Sequence, residues 1–347
     1  MTLVTGRLPQ PAQVAANHLL PPAWRLYHHP VLRRLAAPIE ARTGKPSFIF
    51  RARSLSRRAP SAYAGLEHYL ERWAPSLRTA PADDPIFVLA SGWRSGSTLL
   101  QRLIVSSGQA LIWGEPHDLA GFVQTLARSF RPFGQEWPPR EWILDDRPSA
   151  EPQQLSTSWI ANICPNPAGL LEAHRAFLRA WLAAPASDLG YTRWGFKEVR
   201  LGALEIAYLR ALFPHARIVL LVRDPVAAWR SYSGKPWIYH HRWPDHPLVS
   251  ARGFADLWNG LVAAFLHAAD NDPHCFLVRY EDLLRDRSTT GLLARFLHLE
   301  IDSSVIEVRE RGWDPDLGAS PQECQLVALR TRRLGARLGY DRRGGRV

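Results

Sequence analysis

Between Pro85 and Ile104 the chain reads PIFVLASGWRSGSTLLQRLI: an apolar run, a turn holding two glycines, then an amphipathic pattern that opens near Ser97. The run predicts a buried strand, and the apolar spacing after Ser97 predicts a helix. A strand that feeds a helix through such a turn presents free backbone N–H groups and the positive end of the helix dipole at one point. That is an anion site, suited to phosphate or sulfate. Gly92 and Gly96 allow close approach of the backbone, Ser97 and Thr98 add hydroxyl donors, and Arg94 adds a permanent charge. It is not an ATPase loop, which needs G-x-x-x-x-G-K-[ST]. Ser91 stands at the place of the first glycine and Ser97 at that of the lysine.

Four more segments carry chemistry. FPHARIVLLVRDPVAAWRSY, from Phe213 to Tyr232, predicts a helix end, a buried strand, a turn and a new helix with Pro225 at its first position. Arg223 closes that strand and Ser231 follows eight residues later, about two helical turns in. A solvated Arg223–Asp224 contact is the plainer reading of that pair. Trp194-Gly195-Phe196-Lys197-Glu198-Val199 predicts a short strand. The chain holds only three lysines, Lys45, Lys197 and Lys235, against forty arginines. A retained lysine in so arginine-rich a chain suits a compact ammonium that must reach one oxygen; an ordinary Lys197–Glu198 surface pair is the alternative. Leu111-Ile112-Trp113-Gly114-Glu115-Pro116-His117 predicts a strand leaving into a loop, where Glu115 is either a reactive carboxylate or a helix cap. Cys275 to Leu284 predicts a last buried strand and a YEDL turn.

In order and spacing, these segments resemble the sulfotransferases that use 3′-phosphoadenosine 5′-phosphosulfate, from about Pro85 to Tyr340. The loop Arg94-Ser95-Gly96-Ser97-Thr98 resembles the family's 5′-phosphosulfate loop, in which the cytosolic enzymes usually begin with lysine and the tyrosylprotein and several carbohydrate enzymes with arginine. The spacing is nearest to those last two types. The resemblance implies a three-layer P-loop-like α/β fold with a central parallel sheet. It implies that Arg94, Ser95, Gly96, Ser97 and Thr98 bind the 5′-phosphosulfate and that Arg223 with Ser231 binds the 3′-phosphate. It further implies that Lys197 and Arg94 act on the departing oxygen and that Glu115 is the base for the acceptor hydroxyl. His117 is its rival, because cytosolic members use a histidine and an imidazole titrates nearer neutrality. The reaction needs no metal. The acceptor is a hydroxyl compound left open among peptidyl tyrosine, sugar, lipid and secondary metabolite.

The remaining features set limits. At 347 residues and 46% hydrophobic content the chain can bury a full core. Strands are expected at 85–90, 110–113, 194–198, 217–222 and 274–279, alternating with helices. Residues 1–80 read as a helical, proline- and arginine-rich extension, with helices near 30–42 and 61–73, and 81–347 as the transferase domain. No apolar run reaches the ~18 residues of a membrane span, the start lacks a secretory pattern, and Cys164, Cys275 and Cys324 form neither a disulfide framework nor a zinc spacing. A cytoplasmic setting is the expectation. The net charge of +11 raises nucleic-acid binding as a competing class, but arginine is spread along the chain and no reader motif is present. A small-metabolite kinase is the competing enzyme, separable by magnesium dependence. The proline-rich stretch 130–169 reads as an excursion over the site. The aromatic stretch 233–250, with Trp237, Tyr239, His240, His241 and Trp243, reads as an acceptor lid or a loop packed on the core.

Overall fold

The computed structural model describes residues 61–74, 84–116, 120–143, 164–233, 242–243, 248–307 and 319–340. These lie within one compact unit, Pro60–Val347. The expected helix near 30–42 lies outside the described residues, as do His117, Trp237, Tyr239, His240 and His241.

Five strands, β1 (Ile86–Ala90), β2 (Ala110–Trp113), β3 (Arg193–Glu198), β4 (Arg217–Val222) and β5 (Cys275–Arg279), form one sheet in the order β2-β3-β1-β4-β5. Every pairing is parallel. The sequences explain the layout. IFVLA is buried throughout, and RIVLLV is buried beyond its first residue; strands apolar on both faces belong in the middle of a parallel sheet covered by helices. Phe87 of β1 meets Trp194, Phe196 and Phe213 with ring centroids 6.1, 4.7 and 5.8 Å away. The chain leaves β1 toward β3 and β2, then returns past it to β4 and β5. The C-terminal end of β1 is therefore the topological switch point, where open α/β sheets bind their ligands.

The helices close the layers. α1 (Ala62–Trp73) starts at Ser61, whose side chain accepts from Ala64 N–H, and buries Leu66 and Tyr69. Tyr69 packs edge-on against Phe130 and Phe133, and Arg72 donates to the carbonyls of Gln135 and Pro138. The described start of the 130–169 excursion thus packs on α1. α2 is Ser97–Val105 and α3 is Phe122–Arg128; α4 (Leu170–Leu178) runs through a π-helical turn, Arg179–Ala183, into α5 (Ala184–Asp188). α6 (Ala203–Leu212) and α7 (Pro225–Ser233) follow β3 and β4. The 21-residue α8 (Ala251–Asn271) buries Phe254, Leu257, Trp258, Leu261, Val262 and Phe265, a stripe at helical spacing. Trp243 lies against it at Gly260, so this one described aromatic of the expected lid packs on the core. α9 (Tyr280–Arg285), α10 (Arg287–Leu297) and α11 (Pro321–Arg337) complete the chain, α11 opening with a Ser320–Glu323 capping box. Among the described residues no helix is long and apolar enough to cross a membrane.

Candidate active site

The loop after β1 takes the left-handed backbone conformation three times, at Gly92 (φ 106°), Arg94 (φ 64°) and Gly96 (φ 91°). Such a run turns successive N–H groups toward one concavity. Gly96 is the N-cap of α2 and offers no side chain, while Leu99 and Leu100 N–H return to its carbonyl at 3.0 and 3.2 Å. The first N–H groups of α2, at Ser97 and Thr98, have no helical acceptor, by the geometry of a helix start. The Ser95 hydroxyl is buried and without a hydrogen-bond partner, on a residue 1% exposed. A bound anion would supply the acceptors that those donors lack. Gly96 is also sterically fixed: a Cβ there would stand 2.1 Å from the Tyr280 ring. The left-handed Arg94 holds strain of roughly 1–3 kcal/mol, of the kind that collects at functional loops.

The end of β4 joins this loop. Arg223 donates from Nη1 to the Arg94 carbonyl at 2.7 Å, and Arg94 donates from Nε to the Ser231 hydroxyl at 3.0 Å. Arg94, Arg223 and Ser231, separated by up to 137 positions, thus form one connected group. The Arg223 guanidinium lies 4.5 Å over the Tyr280 ring, and its Nε is buried with no partner. Its carbonyl accepts from Trp258 Nε1 at 3.0 Å. Asp224 caps α7: its Oδ1 accepts from Ala227 N–H at 2.8 Å, and its own N–H donates to Glu281 Oε1 at 2.9 Å.

Lys197 and Glu115 form the second group. Trp113 pairs with Phe196, so Glu115, two residues past Trp113, leaves β2 beside the end of β3 that carries Lys197. Lys197 Nζ donates to Glu115 Oε1, with the two side chains 10% and 18% exposed. Lys197 is therefore no surface partner of Glu198. The Glu198 carboxylate, 1% exposed, accepts from Val199 N–H at 2.7 Å and from Arg200 Nε and Nη2 at 3.2 and 3.0 Å. Among the described residues no group of three or more His, Cys, Asp or Glu side chains could hold a metal ion.

Three residues of this region carry more than their sequence announced. Tyr280 underlies both Gly96 and Arg223, Trp258 holds the Arg223 carbonyl, and Glu281 joins the start of α7 to Tyr340, whose hydroxyl donates to its Oε2 at 2.7 Å. The YEDL turn gave a signal for Tyr280 and Glu281. Trp258 reads as one more apolar position of α8.

A family model described as the sulfotransferase family matches residues 85–303. A search of the curated proteins finds no significant match. Among solved structures, the chain is similar to the sulfotransferase domain of a Synechococcus olefin synthase at 19% identity, over 75% of this chain and 98% of that one, with a TM-score of 0.42. A Mycobacterium tuberculosis sulfotransferase matches at 18% identity over 77% and 80%, TM-score 0.37. A mouse sulfotransferase solved with PAP matches at 11% identity over 79% and 95%, TM-score 0.38. The family match spans well over half of the chain, from the residue before β1 to beyond α10, and the chain belongs to the sulfotransferase family.

Proposed function

We propose that the chain transfers the sulfuryl group of 3′-phosphoadenosine 5′-phosphosulfate to the hydroxyl of an acceptor, and that residues 81–347 carry this chemistry with α1 as a buttress. What supports the cosubstrate is the single connected group of Arg94, Arg223 and Ser231 at the switch point of the sheet. Two anion-binding elements far apart in sequence meet there, as a ligand with two phosphate positions requires. The N–H groups from Ser95 to Thr98 would hold the 5′-phosphosulfate and the helix dipole would favour its charge. Arg223 and Ser231 would hold the 3′-phosphate through charge-assisted hydrogen bonds.

The cosubstrate, when bound, supplies the sulfuryl group and a phosphate as leaving group. The chain's part is positioning and charge stabilisation. Glu115 takes the proton from the acceptor hydroxyl as its oxygen bonds to sulfur and the bond from sulfur to the phosphate oxygen breaks. Lys197, already hydrogen-bonded to Glu115, orients that carboxylate and stabilises charge on the departing oxygen. Arg94 assists from the loop. His117 remains the rival base, and no metal enters this scheme.

Calorimetry tests the cosubstrate assignment. The protein should bind 3′-phosphoadenosine 5′-phosphate and bind adenosine 5′-phosphate far more weakly. Arg223→Ala should remove about 1.5–3 kcal/mol of that binding, the worth of a hydrogen bond to a charged group. Equal affinity for the two nucleotides would remove the role given to Arg223 and Ser231.

A further inference from the structure

β2 ends the sheet, and Glu115 stands beyond it in a bend outside the ladder. Side chains from two sides grip the strand just before that exit. Gln101, the fifth residue of α2, donates from Nε2 to the carbonyl of Ile112 at 2.6 Å. Trp113 donates from Nε1 to the carbonyl of Leu182 at 2.9 Å, inside the π-helical turn Arg179–Ala183. Such turns recur at functional sites.

The Gln101 bond joins two parts of the site. α2 begins at Ser97, in the anion loop, and Gln101 stands four residues on, about 6 Å along a stiff helix. The other end of the bond is Ile112, three residues before Glu115. The bond therefore fixes the strand that carries the carboxylate relative to the loop that holds the anion.

We propose that Gln101 is a positioning residue, acting through the Ile112 carbonyl to place Glu115 against Lys197 in register with the anion loop. The inference rests on the reading of Glu115 as the base. A bond that merely satisfied an end-strand carbonyl would stabilise the fold without governing where the Glu115 carboxylate sits.

The three lysines give a direct readout. Lysine labelled with carbon-13 at Cε yields three side-chain signals, and Lys197→Arg assigns the one that reports the Glu115 contact. Glu115→Gln should move the Lys197 signal. Gln101→Ala should move it toward the same position while leaving the Lys45 and Lys235 signals in place, and affinity for 3′-phosphoadenosine 5′-phosphate should stay within about twofold. Adding Gln101→Ala to Glu115→Gln should cause no further movement, because the group being placed is already changed. If Gln101→Ala fails to fold, Gln101→Met, which keeps the bulk and removes the donor, is read the same way. A Lys197 signal at the wild-type position in the folded Gln101 variant overturns the proposal, as does full additivity in the double variant. A signal unmoved by Glu115→Gln overturns the Lys197–Glu115 pairing and the proposal with it, while the assignment of the base is decided separately by the transfer rates of the Glu115 and His117 variants.

Discussion

Lys197 and Glu115 sit 82 positions apart in sequence and share one hydrogen bond between side chains largely withdrawn from water. Low exposure strengthens whatever electrostatic work the pair performs, and makes either partner costly to leave alone. An ammonium concentrates its charge on one atom with three donors, whereas a guanidinium spreads its charge over a planar fork. Lys197→Ala should therefore lower turnover by about 10²-fold or more, on the scale of a lost transition-state donor. Binding of 3′-phosphoadenosine 5′-phosphate should change little. Lys197→Arg should not restore the rate, and full activity in that variant would remove the lysine's assignment. Glu115→Gln keeps the shape of the side chain but cannot take a proton, so its rate should fall by roughly 10²–10⁴-fold. The measurement is single-turnover transfer to an accepted hydroxyl, with His117→Asn alongside. A dead His117 variant beside an active Glu115 variant would move the base to His117.

Loop and strand ends work as one element around Tyr280. Its ring lies where a Gly96 side chain would be and also beneath the Arg223 guanidinium. Gly96→Ala must therefore abandon a left-handed conformation or displace the ring, and either movement should disturb the loop and Arg223 together, the two positions proposed to hold the anions. Strain of roughly 1–3 kcal/mol should appear as a lower melting temperature. Affinity for 3′-phosphoadenosine 5′-phosphate should fall more than tenfold, and unchanged affinity in calorimetry would show that the loop is not the nucleotide's cradle. The sequence made the loop legible because its glycines mark their own backbone demands. The strands were legible for a similar reason: IFVLA and RIVLLV are continuous apolar runs of strand length, and observed boundaries fall within one residue of those expected. What joins the elements was not legible. The pairing of Lys197 with Glu115 in place of Glu198, the bond from Arg94 to Ser231 and the contact from Trp258 to Arg223 all depend on which strands and helices become neighbours. Periodicity within a segment carries no information about which strands become neighbours. Gln101 was invisible for the same cause, since it lies on α2 and its acceptor is a backbone carbonyl of β2.

Across the whole molecule, burial of titratable side chains sets how stability should depend on pH. His174 is half-buried, its Nδ1 3.0 Å from the Tyr208 hydroxyl and its ring edge-on to Phe130. Burial holds its pKa below the ordinary histidine value, and burial also lowers His274, helped by the nearby Arg210 and Arg217. In both, the unfolded chain takes a proton more readily than the folded one. Their contribution is thus present above the unfolded value, about 6.5, and is lost as pH falls below it. Glu205 has the opposite sign. Burial raises its pKa, so it favours the folded state most at acid pH and loses that contribution as pH rises. At the alkaline end, burial raises Tyr69, Tyr208, Tyr232 and Tyr340. The unfolded chain then gives up tyrosine protons first, and stability falls above about pH 10. The histidine part can be isolated by following melting temperature from neutral pH down to about 5 in wild type and in His174→Gln, which keeps a polar group but does not titrate. The variant should lose less stability than wild type over that interval, so the gap between their melting temperatures should change as pH crosses the histidine range. Parallel curves would mean that the fold accommodates a protonated His174 as readily as water does, and the partly buried Tyr208–His174 contact would then have no part in the acid response.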